Sequence, residues 1–284
     1  MKFAVSVTNK DARMDAYIVF RGIEESIKKA SAYGYSGIEL GLRHKGDINI
    51  HALEKLLSLH NMEMSCINTG QVFSELHMYL TNPDAIIRQQ AIDVFSGIID
   101  IAKEFKAMVN IGRARGYVAY GQTYEQAHAL FVDSLSYLLE KAIRSNVCLA
   151  LEPINRYEIN FVNTVPECLE IVDWFDSPYL GVLPDLFHMN IEDLDLGKTL
   201  ESCGNRIKYL HIADSNRKAP GWGHIDYDSI FAGLARVNFN GWCCCDILPI
   251  PTPDEAAKQS ISFLKPYAEK YFPEHKFIKQ EVSL

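Results

Sequence analysis

Strand patterns alternate with helical patterns eight times along this chain, and that alternation restricts the fold more than any other feature. Short apolar segments without polar alternation, typical of strands buried on both faces, precede longer segments with apolar residues at helical spacing. The predicted strands cover residues 3–8, 36–40, 62–68, 107–111, 147–151, 179–184, 207–211 and 241–248. Strands joined by helices pair in parallel, so eight such units predict an α/β fold, a single closed (β/α)8 or TIM barrel.

The helical segments carry recognisable start signals. Asn82-Pro83-Asp84 predicts an N-cap with proline in the first turn of a long helix, and Thr164 with Glu167 predicts a capping box. The other predicted helices cover residues 16–33, 49–60, 123–144, a segment within 191–202, 227–236 and 254–267.

The chain length and the lack of a linker segment in the sequence favour one domain. A chain of 284 residues fits one large domain or two small ones. No linker or low-complexity segment divides it, and no glycine-rich phosphate loop, usual in a doubly wound sheet, follows the first strand. We therefore predict a single domain over residues 1–284.

The charge of the chain argues against two classes of partner, and its cysteines argue against a disulfide framework or a structural zinc site. The net charge of −8 and the pI of about 5.6 disfavour nucleic acid and anionic membranes as partners. No apolar segment approaches the ~20 residues that span a bilayer, and residues 1–7 lack a signal-peptide pattern. The seven cysteines are odd in number, include three neighbours at 243–245 and form no CxxC pair. Reduced thiols and a cytoplasmic location are the simplest expectation.

An acid or a histidine stands at the end of each of the last four predicted strands. These residues are Glu152, Asp185, His211 and Asp246. Because the carboxyl ends of barrel strands converge on one face, we expect the four side chains to meet there. Burying such charges costs several kcal/mol unless they are paired or bound to a cation.

A shared divalent cation explains the four strand ends better than four independent roles. Mostly oxygen ligands with one nitrogen suit Mn2+, Mg2+ or Co2+, whereas zinc more often recruits further histidine or cysteine. Taken singly, each residue has an ordinary explanation: Asp185 as a helix cap, His211 as a hydrogen-bonded core histidine.

Three further polar residues lie just downstream of these strand ends. Glu158, His188 and Arg217 would supply hydrogen-bond donors and an acceptor around a metal, as a polyhydroxylated substrate requires. The alternative is a salt bridge at the rim between Glu158 and Arg217, with His188 as a further or indirect ligand. Arg113 and Arg115 could bind a phosphate or carboxylate, but ordinary loop or oligomer contacts are favoured.

The motifs 151–158, 185–190 and 211–217 (LEPINRYE, DLFHMN and HIADSNR) resemble the xylose isomerase-like TIM-barrel superfamily. Within it they are most similar to the D-tagatose/D-psicose 3-epimerase group of ketose 3-epimerases. The resemblance covers nearly the whole chain. It implies a metal-dependent epimerase that interconverts free ketoses at C3 through a cis-enediolate, and a homodimer or homotetramer.

The resemblance also implies roles for individual residues. Glu152, Asp185, His211 and Asp246 hold a divalent ion, for which Mn2+ is the preferred candidate. Glu152 and Asp246 act as the catalytic acid–base pair on opposite faces of C3. The substrate-binding residues are Glu158, His188 and Arg217, which hold the first carbons of the open-chain sugar.

One position departs from the family pattern. The group has glutamate at the end of the last strand, where this chain has Asp246. The shorter side chain retreats by about 1.3–1.5 Å, and a misplacement of ~1 Å lowers rates by on the order of 100-fold. The backbone could compensate, the enzyme could be slow, or Asp246 could serve as a ligand only.

Three alternatives therefore stay open. The first is an aldose-ketose or hydroxypyruvate-type isomerase that uses the same chemistry at C1 and C2. The second is a weakly active or non-catalytic sugar-binding homologue, with catalysis lost through Asp246. The third, an AP-endonuclease-like phosphodiesterase, is disfavoured because it needs more histidines and a basic DNA-binding face.

Overall fold

A ring of eight parallel strands forms the centre of the computed structural model, which describes residues 1–13 and 18–273. The strands are β1 (Lys2–Thr8), β2 (Phe20–Arg21), β3 (Gly37–Gly41), β4 (Glu63–Asn68), β5 (Met108–Ile111), β6 (Leu149–Leu151), β7 (Leu180–Val182), β8 (Tyr209–Ile212) and β9 (Trp242–Cys245). All but β2 form the ring, in the order β7-β6-β5-β4-β3-β1-β9-β8, and β2 pairs with β1. Bridges Val182–Ile207 and Asp185–His211 join the last pair, which confirms the predicted barrel.

Helices surround the strands. They are α1 (Ile23–Tyr33), α2 (Ile50–Leu59), α3 (Gly70–Ser74), α4 (Ala85–Phe105), α5 (Tyr124–Ser145), α6 (Val165–Phe175), α7 (Leu186–Glu192), α8 (Leu196–Cys203), α9 (Tyr227–Arg236) and α10 (Pro253–Tyr271). The capping box predicted at Thr164 and Glu167 is present at the start of α6. None of the helices in the described ranges has the length and hydropathy needed to cross a membrane.

The alternation of side chains along the strands separates two apolar regions. A small cluster fills the barrel interior, and a much larger one lies between strands and helices. Cys244 belongs to the interior cluster, whereas Cys243 and Cys245 belong to the outer one. Neighbours on a strand point to opposite faces, so the triplet packs on both sides of the wall. All seven cysteines are free thiols.

Two predicted helix starts are wrong. The helix predicted from residue 16 begins at Ile23, because β2 and Gly22, with a φ of 92°, precede it; positions 16 and 17 lie outside the described residues. The long helix α4 begins after Asp84, whose side chain accepts from the Ile86 amide at 2.8 Å, so Pro83 precedes the cap. Ile86, predicted on its apolar face, is 70% exposed.

The segment predicted as one helix within 191–202 consists of two. The first, α7, begins directly after Asp185, and the second, α8, begins after Asp195. The early start of α7 was missed because its seven residues are too few to show a helical period. It brings His188 to the same end of the barrel as Asp185.

Candidate active site

Three of the four predicted metal ligands converge at the carboxyl ends of their strands. Glu152 follows β6 directly, His211 lies in β8, and Asp185 bridges His211 where β7 and β8 meet. All three are buried, and each offers a ligand atom within 4.8 Å of the other two. The expected convergence of strand ends accounts for this group.

Glu152 is held by polar contacts on both carboxylate oxygens. Its Oε1 lies 3.1 Å from His211 Nδ1, and its Oε2 accepts from Asn110 Nδ2 at 2.9 Å. Burial alone would raise the pKa of Glu152. The positive charge of His211 and the hydrogen bonds from His211 and Asn110 outweigh that effect and lower the pKa.

Asp185 combines a structural role with an unused oxygen. Its Oδ1 accepts from the Phe187 amide at 2.7 Å and caps α7, as an ordinary N-cap would. Its Oδ2 is buried without a hydrogen-bond partner, 3.8 Å from His211 Nδ1 and 3.7 Å from His188 Nε2. Burial raises the pKa of Asp185 to about 7. An orphaned buried oxygen beside a carboxylate and an imidazole fits a divalent cation.

Asp246 lies at the same cavity but has a different partner. Its Oδ2 accepts from Arg217 at 2.9 Å, and it is not part of the three-residue group found among the described residues. The other arm of Arg217 donates to Glu158 Oε1, also at 2.9 Å, which is the rim salt bridge weighed as an alternative. Burial opposes the charge of Arg217, but Asp246, Asp185 and Glu158 more than offset it and raise its pKa.

His188 presents a neutral ring to the cavity. Burial and the nearby charges of Arg217 and His211 hold its pKa well below the ordinary value. Asn155 Nδ2 lies 2.7 Å from His188 Nδ1, and Asn155 Oδ1 accepts from the Tyr157 amide, which fixes the orientation of the Asn155 side chain. Since Asn155 donates to Nδ1, the proton of His188 resides on Nε2, where it can be donated.

A single cavity at this end of the barrel exposes the predicted catalytic and substrate-binding residues to one another. The polar residues that line it are Asn68, Gln71, Arg113, Glu152, Glu158, His188, Arg217 and Asp246. The two carboxylates predicted to exchange protons with substrate thus share one cavity with the predicted substrate-binding residues.

Comparison with known proteins identifies the family. A family model described as "Xylose isomerase-like TIM barrel" matches residues 27–267. The chain belongs to that family. A protein named probable ketose 3-epimerase from Synechocystis sp. is 27% identical over 239 residues, covering 78% of each chain. Hydroxypyruvate isomerase from Escherichia coli K12 is 26% identical over 250 residues, covering 84% of this chain and 92% of that protein.

A solved structure extends this similarity to three dimensions. D-allulose 3-epimerase from Methylomonas sp. superposes with a TM-score of 0.79 at 21% sequence identity, covering 94% of this chain and 98% of that one. The similarity supports the fold, and the resemblance to the xylose isomerase-like superfamily that the three motifs indicated is confirmed.

The sequence reasoning missed several polar residues that contact the predicted site. Asn110 and Asn155 hold Glu152 and His188, and Glu39 contacts the outer nitrogen of His211. The signal for Glu39 was an acid inside the otherwise apolar strand 36–40, which a half-buried strand would also show. Asn110 and Asn155 carry no local pattern, since their roles depend on which strands are neighbours.

The Gly-Arg-Ala-Arg-Gly turn after β5 separates its two arginines into different environments. Arg115 is fully buried and donates to the carbonyl oxygens of Gly112, Glu152, Phe161 and Val162 at 2.7–3.2 Å. Burial lowers its pKa to about 10. Arg113 is half-buried and lines the cavity. Arg115 therefore ties the loop after Glu152 to the barrel rather than binding a substrate phosphate.

Arg115→Met should destabilise the fold by about 3 kcal/mol, because four buried carbonyl groups lose a charged donor. Chemical denaturation would measure the loss. Arg113→Met, a matched change two residues away in a half-buried position, should alter stability by less than about 0.5 kcal/mol. Equal stability of the two variants would contradict the role given to Arg115.

Proposed function

We propose that this chain is a metal-dependent isomerase that interconverts ketoses at C3. The observation that carries the proposal is one cavity in which Glu152, next to the Asp185 and His211 ligand atoms, shares the lining with a second carboxylate, Asp246. A C3 epimerase needs two proton-transfer groups at one carbon, and Glu152 and Asp246 both line this cavity, together with Glu158. Similarity to a probable ketose 3-epimerase supports the same reaction.

Glu152, Asp185 and His211 would hold the divalent cation, with Asp246 as the predicted fourth ligand. Their oxygen-rich donor set favours Mn2+, with Mg2+ and Co2+ as the other candidates. When bound, such an ion would supply Lewis-acid stabilisation of the negative charge that develops on the substrate oxygen.

Glu152 and Asp246 exchange protons with C3. Glu152 takes the C3 proton, and the electron pair of the broken C–H bond forms the C2–C3 double bond while the C2 carbonyl becomes an oxyanion. Asp246, having taken a proton from water, then donates it to the opposite face of C3, and the carbonyl re-forms. Glu152 returns its proton to water before the next turnover. The reverse direction exchanges the two roles, so no oxidant or reductant is needed.

Glu158, His188 and Arg217 orient the sugar. The Nε2–H of His188 and the guanidinium of Arg217 offer donors to the oxygens of C1 and C2, and Glu158 accepts from a hydroxyl group. Arg217 is already oriented by Glu158 and Asp246, each 2.9 Å away, so little side-chain freedom is lost on binding.

A hydroxypyruvate-type isomerase is the second candidate, favoured by the similarity that spans 92% of the Escherichia coli enzyme. Its chemistry would use the same enediolate at C1 and C2. A phosphodiesterase is not favoured, because the ligand group found among the described residues contains a single histidine.

Incubation of Mn2+-loaded protein in D2O with a panel of free ketoses, followed by NMR, tests the proposal. Deuterium at C3 together with the C3 epimer is the expected result. Deuterium at C1 or C2 would instead indicate the isomerase. A protein that binds Mn2+ but exchanges no sugar proton would contradict both, and would favour a non-catalytic sugar-binding homologue.

The assembly and location follow the same proposal. A homodimer or homotetramer is proposed from the resemblance, because most homo-oligomers close with such symmetry. Seven free thiols agree with a reducing, cytoplasmic location.

A further inference from the structure

Glu39 is a buried acid in the middle of a barrel strand. Every residue of β3 is buried, and Glu39 itself has no exposed surface. The pairing of β3 with β4 is irregular at this point: Ile38 pairs with Met64 and Glu39 with Cys66, so Ser65 is left out of the ladder. Bulges of this kind commonly re-aim a side chain beside a functional site.

The carboxylate of Glu39 contacts the ring nitrogen of His211 that points away from the ligand group. The two oxygens of Glu39 lie 2.9 and 3.1 Å from His211 Nε2. Asn68 Nδ2 donates to Glu39 Oε1 at 2.8 Å, and its own amide is oriented by the Gly70 amide. Glu39 is therefore fixed on one side and can accept only from the histidine on the other.

This contact determines which nitrogen of His211 is available to a cation. A carboxylate can only accept, so Nε2 carries the proton that Glu39 receives. Nδ1 faces the carboxylates of Glu152 and Asp185, at 3.1 and 3.8 Å, and donates to Glu152 in this structure. A cation bound between these carboxylates would displace that proton, and Nδ1 would then offer its lone pair. Carboxylate–histidine pairs of this geometry orient metal ligands in proteins.

We propose that Glu39 is a positioning residue for the metal site, which selects Nδ1 of His211 as the ligand atom and holds the plane of the ring. The inference rests on the metal site proposed above. It extends the site by one residue from β3, a strand that β1 separates from β9 and that carries none of the predicted ligands.

A purely structural role for Glu39 makes a different prediction. If Glu39 served only as a buried partner for Asn68 and His211, its replacement would lower stability and leave metal affinity unchanged in the folded protein. A positioning role instead predicts that metal affinity falls less for Glu39→Gln than for Glu39→Ala. Glutamine keeps an acceptor oxygen for the Nε2–H of His211, whereas alanine keeps none.

This order of Mn2+ affinities can be tested by titrating the full chain with Mn2+, without sugar, in competition with a fluorescent chelator. Glu39→Gln should weaken Mn2+ binding by about 10-fold and Glu39→Ala by about 100-fold. The matched control is Ser134→Ala in α5, which removes a buried hydroxyl bonded to the Leu80 and Leu130 carbonyls and touches neither Glu39 nor His211. Its Mn2+ affinity should stay within about twofold of wild type. Circular dichroism confirms that each variant is folded.

A nitrogen-15 NMR spectrum of histidine-labelled protein, saturated with diamagnetic Mg2+, reads the ring directly. Wild-type His211 should show a protonated Nε2, and Glu39→Ala should lose that signature. Variants at position 39 that bind Mn2+ as wild type does, or a Ser134→Ala variant that binds Mn2+ as weakly as Glu39→Ala, would overturn the positioning role. Wild-type protein that binds no Mn2+ would overturn the metal site together with it.

Discussion

Glu152→Gln should lower the rate of C3 epimerisation by about 10³–10⁴-fold, the largest loss expected from any single substitution in the cavity. The change removes the proton acceptor and, at the same time, one anionic ligand of the proposed cation. Glutamine keeps the volume of the side chain and can still accept from Asn110, so the barrel should remain folded. Turnover of a ketose measured at saturating Mn2+ separates the proton-transfer loss from weaker metal binding.

Glu158→Gln is the matched control for that result. It makes the same carboxylate-to-amide change in the same cavity, but Glu158 is not part of the three-residue ligand group. We expect it to raise KM and to lower kcat by about 10-fold or less, because a substrate contact, the Arg217 pair and the hydrogen bond from Asn155 are weakened without loss of a proton-transfer group. A Glu152→Gln enzyme as active as the Glu158→Gln enzyme would remove Glu152 from the chemistry.

The strand ends of this chain could be predicted because two simple rules act together. Apolar segments of five to eight residues stand out from helical periods, and parallel strands bring their carboxyl ends to one face. Glu152, Asp185 and His211 meet for that reason, and the direct bridge between Asp185 and His211 is one of the two that close the barrel.

The parts that could not be predicted depend on contacts between distant segments. Glu39 lies on β3, two strands around the ring from β9, which ends directly before the predicted ligand Asp246. A bulge that no local sequence pattern reveals directs the Glu39 side chain. Arg115 looked like a loop charge because its carbonyl partners lie up to 47 residues further along the chain. The sequence indicates either a helix cap or a metal ligand at Asp185. In the structure its Oδ1 caps α7, and its Oδ2 remains available to a cation.

Asp246→Asn should stop epimerisation while leaving proton exchange on one face of C3. Asparagine keeps an oxygen for Arg217, so the geometry of the pair survives, but the amide cannot donate or accept the transferred proton. Glu152 still removes and returns a proton on its own side. The epimer that presents its C3 proton to Glu152 should therefore exchange with D2O without inversion, and inversion should fall by about 10²–10⁴-fold.

Each member of an epimeric ketose pair, incubated separately in D2O with the variant and Mn2+, distinguishes the roles of Asp246. Exchange confined to one epimer supports the two-base arrangement, and equal loss of exchange from both would make Asp246 a ligand only. Asp246→Glu addresses the shorter side chain: a gain of about 100-fold in turnover would mean that aspartate has disabled the site. We expect a change below about 10-fold, because Arg217 fixes the Asp246 carboxylate at the cavity that Glu152 also lines.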